Sequence, residues 1–313
     1  MKRSLRDYLV TLVLAVLVFA VVSVFLIKAA EGLMSDVVDK IGSEGETQEE
    51  TVTEEKEPVP ENTTGQTPPQ QDPAPQEEDR VLTALILGLD ENKQNAETIL
   101  LVGINATKKQ MTLALIPSNT VVPEQTGKYQ LGSLYSSRSV NFYKEFVQQE
   151  TGIMPDFYVS MPPSAAANLV DILGGISYNV PEDMQYADPA KNIKIDLKKG
   201  EQTISGSALM QMLSYPGYKN GLAGKEDATL GFVRNLCTAF LTPGNASRAE
   251  SIWNNMYHNC QTDFEQMNLK EWSDVLFQVT SYSQNYVRVP GAKSGSFYAI
   301  SSSRAKSMFE IYK

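Results

Sequence analysis

The stretch "ETILLVGINATKKQMTLALIP", residues 97–117, decides the fold class of this chain. Two apolar runs flank the polar segment "NATKKQ", which is the pattern of two strands joined by a turn. An earlier apolar run, "RVLTALILGLDEN", predicts a buried strand that ends in Gly88, Asp90 and Glu91. The folded part therefore begins with three predicted strands, of which the second and third form a hairpin.

The segments that follow mix helical and strand patterns. In "SVNFYKEFVQQETG", Ser139 is a possible N-cap and Gly152 a stop, which together predict a helix. Another helix is expected in "EDATLGFVRNLCTAFLTPG", with Asp227 as its cap and an apolar stripe at helical spacing. Further predicted helices are "PPSAAANLVDILGG", "NLKEWSDVLFQV" and "SSRAKSMFEIYK", and further predicted strands are "DFYVSM", "ISYNVP" and "YVRVPG". This mixture predicts an α/β fold with a mixed β-sheet sandwiched between helices.

An uncharged run of residues near the N-terminus predicts one transmembrane anchor over residues 8–28. Twenty helical residues span about 30 Å, the thickness of a bilayer core. Three basic residues lie within residues 1–7 and place that tail in the cytoplasm, so the protein is expected in the cell membrane with its main domain outside. A cleaved signal peptide is the alternative, although "IKAAEG" is a poor cleavage site.

An acidic segment accounts for the formal net charge of −10. Residues 43–79 hold twelve acidic residues, one lysine, six prolines and no aromatic residue, so they cannot bury enough apolar surface to fold. We predict a disordered tether there, after a juxtamembrane segment at residues 29–42. The remaining domain, residues 80–313, is near neutral, which argues against a nucleic-acid partner.

Few residues of the chain point to chemistry. His258 is the single histidine, and no nucleotide-binding or zinc-protease motif occurs. Asp90 and Glu97 lie at neighbouring strand ends, where two carboxylates are reasonable ligands for Mg²⁺. Carboxylates also occur at strand ends simply as solvated surface residues. Cys237 and Cys260 fall in a predicted extracytoplasmic region where a disulfide persists, and their pairing stays open.

Arg234 lies on the apolar stripe of a predicted helix, beside Leu230 and Cys237 at helical spacing. A guanidinium on such a stripe is costly unless it is paired or extends to water. A carboxylate or a phosphate is a suitable partner. A structural ion pair or a side chain that reaches solvent explains the same position equally well.

The order of these segments resembles the LytR–CpsA–Psr family of envelope proteins from about residue 80 to about residue 240. "PDFYVSM" and "LVDILGGISYNVPEDM" are the most specific part, being similar to the family's I-D-Y-Y-V and V-D-x-x-G-G-V-x-V-x-V-P-x-D-M segments. The family's order also includes "LILGLDEN", "AETILLVGIN" and "LALIPSNTVVP" before them, and "KGEQTISGSALMQML" and "EDATLGFVRNL" after them.

The resemblance implies an activity as well as a fold. Family members use Mg²⁺ and an arginine-rich pocket to hold a polyprenyl pyrophosphate, and they transfer its attached glycopolymer to peptidoglycan. Cations and guanidinium groups would neutralise the charge of the leaving pyrophosphate. The resemblance also implies an apolar groove between sheet and helices for the lipid tail.

The first motifs of the family have lost their charged residues in this chain. The family's R-S-D-T is "NAET", which places Asn95 at the arginine and Glu97 at the aspartate. The family's I-P-R-D is "IPSN", in which Ser118 and Asn119 replace an arginine and an aspartate. Serine and asparagine donate hydrogen bonds, but they do not supply the fixed positive charge that a pyrophosphate transition state needs.

The later motifs have changed in the same direction. The family's K-I-N is "QLG", residues 130–132, and Y-V-R-x-R is "MLSYP", with Ser214 and Pro216 at the arginine positions. The final R-x-x-R-Q is "GFVRN", which keeps Arg234 alone as a residual phosphate contact. Asp90 also survives, and Glu97 survives in part.

Three hypotheses follow from this pattern. The first is a catalytically degenerate family member that binds a polyprenyl-pyrophosphate-linked glycan, peptidoglycan or a homologous envelope protein without turnover. The second is an active Mg²⁺-dependent transferase in which Arg138, Lys128 or Arg288 supplies charge from new positions. The third is an envelope scaffold without a lipid ligand. A long apolar cavity between sheet and helices would favour lipid binding, and a filled core would favour the scaffold.

Overall fold

The computed structural model of the chain describes residues 79–191 and 193–313. The predicted cytoplasmic tail, anchor and juxtamembrane segment, and the predicted tether up to residue 78, lie outside the described residues. Within the described ranges, no helix has both the length and the apolar character needed to cross a membrane.

The described part is built from strands and helices in alternating groups. The strands are β1 (Val81–Leu89), β2 (Ala96–Asn105), β3 (Gln110–Ile116), β4 (Val121–Glu124), β5 (Gly127–Gln130), β6 (Phe157–Met161), β7 (Ile176–Val180), β8 (Met184–Asp188), β9 (Ile193–Leu197), β10 (Gly200–Ile204), β11 (Gln261–Thr262), β12 (Ser283–Arg288), β13 (Gly291–Ser294) and β14 (Phe297–Ile300). The α-helices are α1 (Val140–Thr151), α2 (Pro163–Ile172), α3 (Gly206–Ser214), α4 (Leu222–Phe240), α5 (Ala249–Asn259), α6 (Gln266–Leu276) and α7 (Ser302–Phe309). Short 3-10 helices cover Leu131–Ser137, Pro189–Lys191, Pro243–Arg248, Val279–Ser281 and Glu310–Tyr312.

Six strands form one mixed sheet in the order β11-β6-β1-β2-β3-β12. Strands β1, β2 and β3 are antiparallel, with Leu85 opposite Leu101 and Leu101 opposite Ala114. Strand β6 runs parallel to β1, and β12 runs parallel to β3. The predicted hairpin and the predicted mixed sheet are therefore both confirmed.

Helices cover both faces of this sheet. On one face, side chains such as Leu87 and Ile99 pack against Tyr143 of α1 and Phe309 of α7. On the other face, side chains such as Leu113 form a cluster with residues of α4 and α6. Because both faces are covered, the central strands are apolar almost throughout instead of alternating. The predicted sandwich is confirmed.

Helix α1 shows how local sequence sets an element. The Ser139 side chain accepts a hydrogen bond from the backbone N–H of Phe142, which satisfies one free donor at the start of the helix. Gly152 ends the helix at φ 77°, a left-handed conformation that favours glycine. Both predicted ends of this helix are confirmed.

Helix α4 begins earlier than predicted. Asp227 does not cap it: the helix starts at Leu222, after Gly221 at φ 57°, and no side chain caps its first turn. The physical reason is a tertiary contact, because Glu226 is only 4% exposed and is held by groups from elsewhere in the chain. The helical pattern of the sequence therefore continues through a polar segment.

A second cluster packs beside the main sheet. It joins α2, α3 and α4 to the β7–β10 pair through side chains that include Val170, Tyr178, Leu209 and Phe232. Helices α3 and α5 and the β4–β5, β8–β9 and β13–β14 hairpins were not predicted from periodicity. Of these elements, α3 and α5 contribute side chains to the lining of the cavity described below.

The segment after α7 packs on the first hairpin. The ring of Tyr312 lies over Gly103 so closely that a Cβ on that residue would stand 2.8 Å from the ring. The Tyr312 hydroxyl is 2.8 Å from Oγ1 of Thr112, and Asn105 Nδ2 donates to the carbonyl oxygen of Ile311 at 2.8 Å. Residues about two hundred positions apart thus close one face of the sheet.

Candidate functional site

An apolar cavity of about 810 Å³ lies between the sheet and helices α2 to α6. Side chains of the sheet such as Ile86 and Leu100 line one wall, and side chains of α4 such as Val233, Leu236 and Phe240 line another. This volume falls within the range of about 300–1,000 Å³ that is common for ligand pockets. An apolar cavity between sheet and helices is the feature expected from the sequence if the protein binds a lipid.

The polar residues of the lining come from one end of these elements. Asp90 follows β1, Glu97 is the second residue of β2, and Lys225 and Thr229 belong to the first turns of α4. Ser214 reaches the same lining from the end of α3. We call this part of the lining the polar end. The structure thus brings three sequence-predicted residues, Asp90, Glu97 and Ser214, to one cavity.

The carboxylate of Asp90 is turned into its own loop. Its Oδ1 accepts hydrogen bonds from the backbone N–H groups of Gln94 and Asn95, at 2.7 and 3.2 Å. Its Oδ2 accepts from Nδ2 of Asn95 at 2.7 Å. Partial burial raises the pKa of Asp90, but the side-chain and backbone hydrogen bonds outweigh it and hold the pKa below its usual value. Asn95, at a family arginine position, therefore binds Asp90 with a neutral amide.

The carboxylate of Glu97 forms an ion pair with Lys225. The Lys225 Nζ is 2.7 Å from Oε2 of Glu97. The lysine side chain is 22% exposed, and among the described residues Lys225 is the only cation in the cavity lining. Lys225 was missed by the sequence reasoning.

These contacts do not fit the predicted Mg²⁺ site. Both oxygens of Asp90 already accept hydrogen bonds, and Oε2 of Glu97 is already paired with the ammonium of Lys225. Nor do the described residues contain a group of three or more His, Cys, Asp or Glu side chains arranged to hold a metal. No step of the function proposed below is routed through Mg²⁺.

Ser118, at a family arginine position, has a structural partner on α4. Its backbone N–H donates to Oε1 of Glu226 at 2.9 Å, and its Oγ lies 3.4 Å from the same oxygen. Arg288, at the end of β12, pairs with Oε2 of Glu226 at 2.5 Å and with Oδ1 of Asp227 at 2.6 Å. Burial lowers the pKa of Arg288, but the two carboxylates outweigh it and raise the pKa. We call these four residues the Glu226 cluster.

Asn119 joins the same strand end to the β13–β14 hairpin. Its Nδ2 donates to the carbonyl oxygen of Ser296 at 2.9 Å, and its own carbonyl oxygen accepts from the backbone N–H of Tyr298 at 3.0 Å. Neither Ser118 nor Asn119 is in the cavity lining. The "IPSN" segment has therefore become a junction of β3, α4, β12 and this hairpin.

Arg234 lies outside the cavity lining. It is exposed, and its guanidinium stands over the ring of Tyr286, 5.7 Å from the centroid. An arginine over an aromatic face is a stabilising cation–π contact. The structure therefore does not bring Arg234 together with Asp90 and Glu97, and its predicted contact with a phosphate stays a prediction.

The other cations named in the active-transferase hypothesis are also outside the lining. Arg138 pairs with Glu124 at 2.6 Å, and Lys128 is an exposed residue of β5. Arg288 belongs to the Glu226 cluster. The positive charge of both arginines is thus matched by carboxylates within the described part of the chain.

Both cysteines are free thiols. Cys237 lines the cavity, and burial raises its pKa to about 12, while burial raises the pKa of Cys260 to about 11. His258 is exposed in the last turn of α5, as a helix-surface residue would be. These three residues therefore form no nucleophilic set.

The sequence matches a known family model over most of its length. Residues 40–313 fit the LytR_cpsA_psr family. The chain belongs to this family. The resemblance stated from the motifs is thereby confirmed, and the match extends beyond the motif segments to residue 313.

Two curated proteins are similar to this chain over part of their length. The regulatory protein MsrR of Staphylococcus aureus is 24% identical over 143 residues, which cover 44% of this chain and 42% of MsrR. TagV of Bacillus subtilis, a polyisoprenyl-teichoic acid–peptidoglycan teichoic acid transferase, is 24% identical over 190 residues, which cover 57% of this chain and 49% of TagV. The matched segments span less than half the length of both relatives.

Solved structures share the fold. The crystal structure of Bacillus subtilis TagV has a TM-score of 0.62 at 18% identity and covers 75% of this chain and 98% of that chain. A LytR-Csp2A-Psr enzyme from Actinomyces oris has a TM-score of 0.61 at 15% identity, covering 75% and 92%. TagT bound to LI-WTA has a TM-score of 0.59 at 16% identity, covering 74% and 89%. The mixed α/β architecture is therefore that of the LytR_cpsA_psr family.

One sequence signal would have pointed to Lys225. Extending the stripe of α4 toward its start places Lys225 four residues before Thr229, which is four residues before Val233, and all three line the cavity. The predicted start at Asp227 cut this stripe short. Glu226 carries no comparable signal, because its partners Ser118 and Arg288 are far away in the sequence.

Proposed function

We propose that this chain is a catalytically silent member of the LytR_cpsA_psr family that binds a polyprenyl-linked glycan. In this proposal residues 8–28 anchor the chain in the cell membrane, and the domain lies outside the cytoplasm. One observation carries the proposal: the apolar cavity of about 810 Å³ has a polar end with one lysine and several carboxylates. The cavity suits an isoprenoid tail, and the polar end lacks the arginines that transfer would need.

The cavity favours lipid binding over the scaffold hypothesis. Protein interiors are normally close-packed, so a scaffold protein would be expected to have a filled core in place of an apolar cavity of this size. The lining is mostly aliphatic and aromatic, with a few convergent polar groups at one end, which is the usual composition of a small-molecule site. TagV is named as a polyisoprenyl-teichoic acid–peptidoglycan teichoic acid transferase, and TagT was solved bound to LI-WTA, so a lipid-linked glycan is a suitable ligand to propose.

The charge distribution favours binding without turnover. Neutral side chains occupy the altered motif positions Asn95, Ser118, Asn119 and Ser214, and Arg288 is held by two carboxylates. Removing one donor that stabilises developing charge typically lowers the rate by about 10²–10³-fold. The loss of several such donors, which do not act additively, leaves little transfer activity.

Tryptophan fluorescence offers a direct test of lipid binding. The chain has two tryptophans: Trp253 lines the cavity and Trp272 does not. The full-length Trp272→Phe variant, in phosphatidylcholine nanodiscs, would be titrated with geranylgeraniol, and its Trp253 emission should change in a saturable way. The matched Trp253→Phe variant should give no such change. An unchanged emission in the first variant, or an equal change in both, would refute lipid binding in this cavity.

A turnover assay tests the other half of the proposal. The full-length chain would be incubated with peptidoglycan and a polyprenyl-pyrophosphate-linked glycan, and both glycan transfer and release of the lipid phosphate would be measured. We expect neither to exceed the rate without protein. Transfer that the Asp90→Ala variant abolishes would overturn catalytic silence and establish the active-transferase hypothesis instead.

A further inference from the structure

We propose that the ammonium of Lys225 is the fixed cation of this cavity, so that a lipid phosphate binds at the polar end without a divalent metal ion. This inference rests on the proposed function, because it assigns the headgroup contact of the lipid whose tail fills the cavity. The ligand class is an isoprenoid lipid phosphate. The family resemblance implies Mg²⁺ at this point, and the residues present have a different arrangement.

Lys225 lies at the polar end of the cavity. It belongs to the first turn of α4, lines the cavity and is the only cation in the lining among the described residues. Its Nζ lies 2.7 Å from Oε2 of Glu97, so the side chain is held at the polar end by an opposite charge. A lysine ammonium has three donors, and the contact with Glu97 uses one of them. The remaining donors are available to a phosphate oxygen.

The carboxylates of Asp90 and Glu97 already have partners within the protein. A divalent ion would need Asp90 and Glu97 as ligands. Asp90 accepts three hydrogen bonds from Gln94 and Asn95, and Glu97 is bound to Lys225. A metal ion would have to displace an ammonium and break the 90–95 loop contacts, whereas a phosphate needs only to approach Lys225.

Carboxylates outnumber cations in the described lining. Asp90, Glu91 and Glu97 are the carboxylates of the described lining, and Lys225 pairs with Glu97. Each phosphate group bound at this end is repelled by these carboxylates, and one ammonium offsets less of that repulsion for two phosphate groups than for one. A single phosphate, bound as a point charge by lysine, matches this site better than a pyrophosphate does. A lipid monophosphate is therefore the appropriate probe.

The experiment compares one tail with and without a phosphate. The full-length Trp272→Phe chain in phosphatidylcholine nanodiscs would be titrated with geranylgeraniol and with geranylgeranyl monophosphate, each in EDTA and in Mg²⁺, and inorganic phosphate would be tested as a competitor. We expect the monophosphate to bind roughly tenfold or more tightly than the alcohol, because a hydrogen bond to a charged group adds that much affinity. EDTA should leave its affinity unchanged. Inorganic phosphate alone should compete weakly, since it has no tail.

Variants separate the ammonium from the cavity. In a Lys225→Met chain the affinity for the monophosphate should fall to that for the alcohol, while the alcohol binds as before and so reports an intact fold. Lys225→Arg should keep the preference for phosphate. Lys144→Met is the matched control, because Lys144 also pairs with a carboxylate, Asp263, at 2.7 Å but lies outside the cavity lining.

Each result decides the question. A tenfold loss of monophosphate affinity in EDTA, or Lys225→Met binding the monophosphate as tightly as the parent, would overturn the inference. Equal affinity of the parent for alcohol and monophosphate would overturn it too, while leaving lipid binding in place. If neither lipid binds the parent, the proposed function fails with it. If Lys225→Met does not bind the alcohol, the Glu97→Gln variant replaces it as the test. Removing the Glu97 carboxylate frees the Lys225 ammonium, so the affinity for the monophosphate should stay the same or rise. A tenfold loss of that affinity would overturn the inference.

Discussion

The ion pair of the Glu226 cluster gives a prediction whose size follows from burial. The side chain of Glu226 is 4% exposed, and that of Arg288 is 24% exposed. Replacing Arg288 with methionine keeps most of the side-chain volume but leaves a buried carboxylate without its counter-charge. Such losses destabilise a protein by about 3–5 kcal/mol. The second partner, Asp227, is 65% exposed and adds little, about 0–1 kcal/mol for a pair at the surface.

The assay is thermal unfolding of the full-length chain by far-UV circular dichroism. For a domain of this size, about 2–4 °C of Tm correspond to each kcal/mol, so Arg288→Met should lower the Tm by roughly 6–20 °C. Arg138→Met is the control, because it breaks an ion pair of similar length in which the arginine is 43% exposed. That control should change stability by about 1 kcal/mol or less.

A double variant tests the mechanism behind the number. In Arg288→Met with Glu226→Leu, no charge is left buried, so most of the lost stability should return. The reasoning is refuted if Arg288→Met unfolds within 2 °C of the control, or if the double variant is less stable than Arg288→Met alone. Either result would mean that Glu226 is solvated or paired differently in the folded protein.

Three further changes have expected outcomes of their own. Ser139→Ala should lower the free energy of unfolding in urea by about 1 kcal/mol, because α1 loses its N-cap, whereas Ser139→Thr should keep most of the stability that the cap contributes. An equal loss of stability in both variants would contradict the capping role. Asp90 has a lowered pKa, so its charged form contributes stability above its ordinary pKa of 3.8 that is lost as the pH falls through the folded value. The urea midpoints of the parent and Asp90→Asn should therefore differ at neutral pH and converge in acid; a gap that widens in acid would contradict the sign. Cys237 lines the cavity and its pKa is raised to about 12, so in the folded chain at neutral pH it should react with iodoacetamide more slowly than in urea, as read by peptide mass spectrometry; equal rates would contradict the raised pKa.

Local chemistry explains which elements could be predicted from the sequence. The ends of α1 depend on Ser139 and Gly152, residues whose capping roles need only their near neighbours. The β2–β3 hairpin likewise depends on two apolar runs that are adjacent in sequence. Such contacts are encoded within about a dozen residues, so periodicity and cap residues suffice to predict them.

The start of α4 and the polar end depend on contacts between distant residues. Glu226 pairs with Ser118 and Arg288, which are 108 and 62 positions away. Lys225 pairs with Glu97, which is 128 positions away. A polar residue inside a helix gives no sign of a partner that only the tertiary fold supplies. The motif comparison indicated where the family's charged residues are replaced, but it did not indicate that Lys225 lines the cavity.

The contact between Tyr312 and the first hairpin has a consequence for the order of folding. The face of the sheet that carries Leu87 and Ile99 is covered by α1 and α7, and Tyr312 adds its ring over Gly103. During synthesis, residues 81–116 therefore emerge long before α7 and Tyr312 can shield them. Contacts of such high sequence separation slow folding and leave apolar strands open to aggregation in the meantime. The first hairpin is therefore exposed to aggregation until α7 and Tyr312 are available to cover it.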